Sequence, residues 1–174
     1  IRDSFNLIEG GAKWPKVMIQ AKAAFLAKDP AKMEDCMRYR ILTIMPLFYR
    51  RWAAMRHRSL DKWVASWNTD ELHAGTSSNG AEDAWWRTNL EHELSRLEGR
   101  DVTGGSVDIF KCFDQVQRHL LEHLLRLSGC PSRIVEPYMR YLDQLTIYNM
   151  VAGTLGGPHK RQCSIPQGCP LSIP

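Results

Sequence analysis

Asp108, Phe113 and the string IPQGCPLS at 165–172 are the residues whose types and spacing could do chemistry. Asp108 stands in SVDIFKCFDQV, where an apolar run reaches an acid and Phe113 and Asp114 follow five and six residues later. A carboxylate at the C-terminal end of a strand is well placed to hold a divalent cation once other acids converge on it. Mg²⁺ asks for oxygen ligands in near-octahedral geometry and keeps several waters, so one or two carboxylates plus substrate phosphates suffice. Two such ions about 4 Å apart can activate a hydroxyl nucleophile and stabilise a leaving phosphate. Phe113 could then lie under a sugar, where its bulk would exclude a 2′-hydroxyl. Taken alone, the D-x4-F-D spacing is weak, and it equally describes a strand end with Asp114 capping the next helix.

The second string is more specific. Gln167-Gly168 followed by Pro170 gives a backbone bend with a free amide side chain, and a glycine there lets the backbone lie against a base or nucleotide without interference from a Cβ. Ser172 would cap or buttress a helix expected to open next.

These residues need elements to position them. GGSVDIF at 104–110 is short, flanked by glycine and rich in β-formers, and it reads as a strand. A helix from about 115 to 127 follows, ended by SGCP, and another runs from about 132 to 144. TIYNMVAG and HKRQCSI flank TLGGP and read as a β-hairpin. Upstream, WPKVMIQAKAAFLAKDP reads as a helical stretch ended by a Lys-Asp-Pro turn, because Pro30 disfavours helix at the residue before it. From Met45 to Trp67, Leu47, Phe48, Trp52, Met55, Leu60, Trp63, Val64 and Trp67 recur at mostly helical spacing, an amphipathic helix or helix pair whose aromatics belong to a core. NTDELHAGTSSNG at 68–80 is the clearest break, small, polar and turn-forming. The helix AEDAWWRTNLEHELSRLEG follows it and is stopped by Gly99. The expectation is an α+β chain of two regions: a mostly helical, basic and Trp-rich 1–80, and 81–174 with a strand, helices and a hairpin.

The bulk properties fit one core or two small lobes. The 174 residues are 44% hydrophobic and 24% charged, an ordinary globular balance. Nothing approaches the roughly 18 consecutive apolar residues of a membrane span. The opening residues lack the apolar core of a signal peptide, which leads us to expect an intracellular protein or a trimmed N-terminus. The five cysteines form no CxxC pair, as reduced structural thiols do. Residues 11–62 hold twelve Lys or Arg against four Asp or Glu, while the whole chain carries +4. The remainder is therefore net negative, and the basic half suggests a polyanionic partner, with nucleic acid first among the candidates.

HLLEH at 119–123 matches the H-x-x-E-H pattern of inverted zinc proteases. Such a site needs a third protein ligand, and the pattern arises easily in a Leu-rich amphipathic helix. We read it as a solvated helix face.

SVDIFKCFDQV, followed some fifty residues later by IPQGCPLS, resembles two consecutive palm motifs of reverse transcriptases of the non-LTR retrotransposon and group II intron kind. The resemblance implies a polymerase-like fingers and partial palm, with motifs at 107–116 and 165–172. It makes Asp108 a catalytic metal ligand, with Ile109 offering its carbonyl to Mg²⁺. Phe113 becomes the steric gate, and Gln167 and Gly168 contact nucleotide and template. AAFLAKDP and YRILTIMPLFYRRWAAMR are similar to the family's fingers, which matches Lys28 and Arg40 to the residues that hold the triphosphate. Where the family usually has Pro after that Arg, this chain has Ile41. The implied partners are an RNA template, a DNA primer and dNTPs, and the implied location is nucleus or cytoplasm.

The family's next motif carries two adjacent aspartates, and these 174 residues contain no Asp-Asp pair. The chain alone is therefore expected to be inactive in primer extension, with RNA-directed DNA synthesis belonging to a complete protein. The alternative is a non-catalytic reverse-transcriptase-derived subunit that binds nucleic acid or a larger protein assembly.

Overall fold

The computed structural model describes residues 1–29, 31, 34–75 and 79–172, and of Cys36 only the backbone. Its organising element is a four-stranded mixed sheet in the order β2-β1-β3-β4, formed by β1 (Gln20–Ala27), β2 (Tyr39–Ile44), β3 (Thr146–Val151) and β4 (Thr154–His159). β1 runs antiparallel to β2, with Ala24 opposite Leu42, and parallel to β3, with Ala21 opposite Ile147. The sheet thus joins strands from 1–80 with strands from 81–174. Around it lie seven α-helices among the described residues: α1 (Arg2–Glu9), α2 (Leu47–Ser59), α3 (Asp61–Trp67), α4 (Ala81–Leu97), α5 (Cys112–Gln115), α6 (Arg118–Leu127) and α7 (Ser132–Gln144). The α+β class is as expected.

Four local expectations are corrected. The first 80 residues are not mostly helical, because the Ala-rich stretch before Lys28 is strand β1. Ala21 and Ala23 are buried while Gln20 and Lys22 are exposed, a period of two. Pairing on both sides overrides alanine's helical preference, since strand formation is decided by packing partners more than by intrinsic propensity. Pro30, which carried the turn expectation, lies outside the described residues.

The segment 104–110 is not a strand. Its backbone runs without regular structure, and Val107, Ile109 and Phe110 are largely exposed. β-forming residues become a strand only when a neighbour supplies the other half of the ladder, and none of the four described strands pairs with this one.

The helix expected over 115–127 is split at Val116, whose backbone turns extended so that its carbonyl accepts from Ser164 N at 2.8 Å. The hairpin turns at Ala152-Gly153, both at positive φ, as a two-residue turn matching strand twist requires. TLGGP therefore lies within β4 instead of forming the turn. An edge strand tolerates its glycines and proline.

The core is aromatic and lies against one face of the sheet. Trp14 meets Tyr49, Trp52 and Tyr141 edge-on at 5.3–5.5 Å, and Tyr49 stacks on Tyr141. Trp14 Nε1 donates to Pro137 O at 2.8 Å, tying the segment before β1 to α7. α1 docks through Phe5 and Ile8, and its Glu9 receives both Trp52 Nε1 and Arg56 of α2. These contacts bring α2, and β2 just before it, into register with α7 and the hairpin. α4 stands apart. It ends where expected, with Gly99 at φ +65, yet Ser95 is its only buried residue, and Trp85, Trp86, Leu90, Leu94 and Leu97 are exposed.

No helix among the described residues is long and apolar enough to cross a membrane.

Candidate nucleotide cleft

The end of β1 and the start of β2 form the first wall. Lys28 N donates to Arg38 O at 2.9 Å, extending the ladder one step past Ala27. Arg40 sits opposite Leu26. Two basic side chains therefore leave the sheet at adjacent strand ends, both exposed.

The second wall is 108–114. Asp108 and Ile109 are exposed and Phe113 is half-buried on α5. Lys111 takes the left-handed conformation, φ 48, before α5, and its carbonyl accepts from Asp114 N at 2.9 Å. Asp114 is not a helix cap. Its carboxylate pairs with Arg161 at 3.2 Å.

The floor is the bend at 165–172. Ile165 N donates to Phe113 O at 2.9 Å, Thr43 N donates to Gln167 O at 2.9 Å, and Ser172 Oγ donates to Pro166 O at 2.8 Å. Ser172 thus buttresses the bend itself. The helix expected after it falls on Ile173 and Pro174, outside the described residues. Gly168 is at φ +99, and a Cβ there would sit 3.1 Å from Leu42 Cδ1 and 3.2 Å from Thr43 O. The bend thus rides directly on β2, and that contact accounts for the glycine. Below it, Cys169 is buried with its Sγ 3.1 Å from Tyr49 Oη, and burial pushes its thiol pKa up.

Lys28, Arg40, Asp108, Ile109, Phe113, Gln167 and Gly168, every site residue expected from the sequence, line one cleft of about 700 Å³. They come from three chain segments that β2 and the 165–172 bend bring together.

Three residues of this arrangement escaped the sequence. Lys111 also lines the cleft. Arg161 neutralises Asp114. Arg118 is almost fully buried, and it donates from Nη1 to Leu142 O at 2.8 Å and from Nε to Ser164 O at 3.4 Å, with Asp143 at 3.6 Å. Burial lowers its pKa, and Asp143 opposes that shift. A cation at the C-terminal carbonyls of α7 complements the helix dipole. It also holds Ser164, a non-glycine at φ +91, one residue before the bend begins. No sequence pattern marks any of the three.

The metal expectation fares differently. Asp108 and the Ile109 carbonyl are one carboxylate and one neutral oxygen, and the Asp114 carboxylate is engaged by Arg161. No group of three His, Cys, Asp or Glu that could hold a metal ion occurs among the described residues. These residues do not by themselves make a Mg²⁺ site. In HLLEH, Glu122 pairs with Arg126 at 2.8 Å.

No family model matches the chain, and no curated protein matches it.

Proposed function

We propose that this chain is the fingers and partial palm of a reverse-transcriptase-type polymerase and that the cleft receives an incoming deoxynucleoside triphosphate. The observation that carries the reading is the common lining. Lys28 and Arg40, Asp108 through Phe113, and Gln167-Gly168 are separated by up to 140 residues of sequence and face the same space.

In this reading the Lys28 and Arg40 side chains take the phosphates, with Arg able to grip two oxygens at once. Phe113 packs under the sugar and tests its 2′ position. The Gln167-Gly168 bend supports the base. Asp108 is exposed and without an ion pair among the described residues, so its carboxylate would approach the phosphates only through a bound cation. Mg²⁺ belongs to the reading only in a complete protein where further acids join Asp108. RNA template and DNA primer are the macromolecular partners the reading implies.

The test is photocrosslinking of radiolabelled dTTP to the chain, followed by peptide mapping. Saturable labelling within 108–113 or 165–172, reduced by Arg40→Ala, is the expected result. Labelling that is unsaturable or maps elsewhere would remove the nucleotide reading.

A second reading, a non-catalytic subunit within a protein assembly, is favoured by the exposed apolar residues of α4 and by an apolar groove of about 680 Å³ between α3, α6 and α7. Exposed apolar surface of this extent marks a covered face in many proteins. Co-purification of a stoichiometric partner that shields Trp85 and Trp86, with no nucleotide labelling, would establish it.

A further inference from the structure

We propose that Lys111 is a third phosphate ligand of the cleft, and that with Lys28 and Arg40 it gives the chain a metal-independent affinity for the triphosphate of a nucleotide. This rests on the nucleotide reading above and adds to it a residue and a chemistry.

Backbone geometry is the first support. A lysine at φ 48 adopts a conformation that non-glycine residues visit rarely and at a cost. Here it ends the irregular segment and starts α5, with its carbonyl held by Asp114 N. Lys111 lines the cleft together with Lys28 and Arg40. Its Nζ reaches Met37 Sδ at 3.7 Å, on the turn that leads into β2 and Arg40, and stands 5.8 Å from the centre of the Phe110 ring.

The partners of that ammonium are the second support. A thioether is a weak acceptor, and an exposed ring face attracts a cation only modestly. Lys111 has no carboxylate partner among the described residues. Two acids lie three residues away in sequence: Asp114 is already taken by Arg161 at 3.2 Å, and no ion pair joins Asp108 to Lys111 among the described residues. An ammonium so lightly held is free to turn to a phosphate, which it binds as a point charge.

Charge balance is the third. With Asp114 neutralised, the cleft sets Lys28, Arg40 and Lys111 against the single carboxylate of Asp108. The excess is positive, and it is present before any cation binds. A polyanion is the ligand class that relieves it.

The experiment is isothermal titration of the 174-residue chain with sodium tripolyphosphate and with dTTP, both in EDTA at low salt. Lys111→Ala should weaken both ligands about tenfold, the worth of one charge-assisted hydrogen bond, and Lys111→Arg should restore most of the loss. Lys111→Gly, which suits the left-handed backbone, serves as a second deletion should the alanine variant misfold, and circular dichroism monitors folding throughout. If Lys28→Ala and Arg40→Ala weaken binding while both Lys111 deletions leave it unchanged, the Lys111 assignment is overturned and the nucleotide reading stands. If the parent chain binds neither ligand, or no variant alters binding, both fall.

Discussion

The amide of Ile165 donates to the carbonyl of Phe113 at 2.9 Å, so the two segments that carry the cleft chemistry are joined backbone to backbone. One residue along, Ser164 N donates to Val116 O, and Cys163 Sγ lies 3.5 Å from Asp114 O. The aromatic that would test a sugar and the bend that would support a base therefore cannot move independently. On its other side the bend is tied to β2 through Thr43 N and Gln167 O, which sets Arg40 in the same frame. One rigid backbone path runs from the basic strand end through the bend to Phe113.

Gly168 is where this path is least tolerant of change. An alanine would adopt φ +99 at a cost and push its Cβ to 3.1 Å from Leu42 Cδ1 and 3.2 Å from Thr43 O. A strained backbone position of this kind costs about 2 kcal/mol, before the contact itself is counted. Gly168→Ala should lower the unfolding free energy measured in urea by that amount or more. A variant as stable as the parent would mean that the bend does not rest on β2.

Arg118 holds the same path from below. Replacing it with Met keeps much of the volume but leaves the Leu142 and Ser164 carbonyls without their donor. Buried unsatisfied acceptors cost about 1–3 kcal/mol each, so Arg118→Met should destabilise by about 3 kcal/mol in denaturant titration. Arg118→Lys, which retains a charge near the end of α7, should recover part of it. Equal stability of the two variants would show that the cation matters only by its bulk.

How much of this could be read beforehand depended on whether the governing contact was local. α4 and α7 were legible, because a helix writes its period and its stop signals into its own residues: α7 spans Ser132–Gln144, against an expected 132–144. The residues singled out from the sequence line one cleft because β2 and the 165–172 bend join their segments, and Gly168 was legible as a residue needing no Cβ, although the neighbour that demands it is β2. β1 was not, since QAKAAFLA has a helical composition and becomes a strand only between β2 and β3. The strand expected at 104–110 failed for the converse reason, having strand composition with no described strand to pair with. Arg118 and Lys111 were invisible because a lone cation carries no signature. Burial at the end of α7 distinguishes the first, and a left-handed backbone facing the cleft distinguishes the second.

Cys130 gives the stability a predictable pH dependence. Burial raises its thiol pKa from 9.0 to about 11. In the unfolded chain the thiol ionises near its ordinary value, while the folded state keeps its proton. Its contribution is therefore fully present below pH 9, is lost as pH rises toward 11, and levels off beyond. The loss by pH 11 should be about 2 kcal/mol, and the raised pKa of Cys169 acts in the same direction. Urea titrations at pH 7, 9 and 10.5 should show the decline, and Cys130→Ala should lessen it without abolishing it, because Cys169 and the buried Tyr49 and Tyr138 are shifted the same way. Parallel pH profiles for parent and variant would place the alkaline titration elsewhere.

Phe113 carries the sharpest prediction for chemistry. Its carbonyl is fixed by Ile165 and its residue is half-buried on the cleft wall, so the ring has a firm base and a free face. Trimming it to alanine leaves the backbone bond intact and removes only the bulk that would meet a 2′-hydroxyl. In a complete polymerase containing this chain, Phe113→Ala should raise the kcat/KM for ribonucleotides relative to deoxyribonucleotides by about tenfold or more, the scale on which a site discriminates by steric fit. The deoxyribonucleotide KM should change less, because the phosphate ligands are untouched. Single-nucleotide incorporation kinetics with dTTP and UTP measure the ratio. An unchanged ratio, with the deoxyribonucleotide rate preserved, would sink the gate and leave Phe113 as a packing residue of α5.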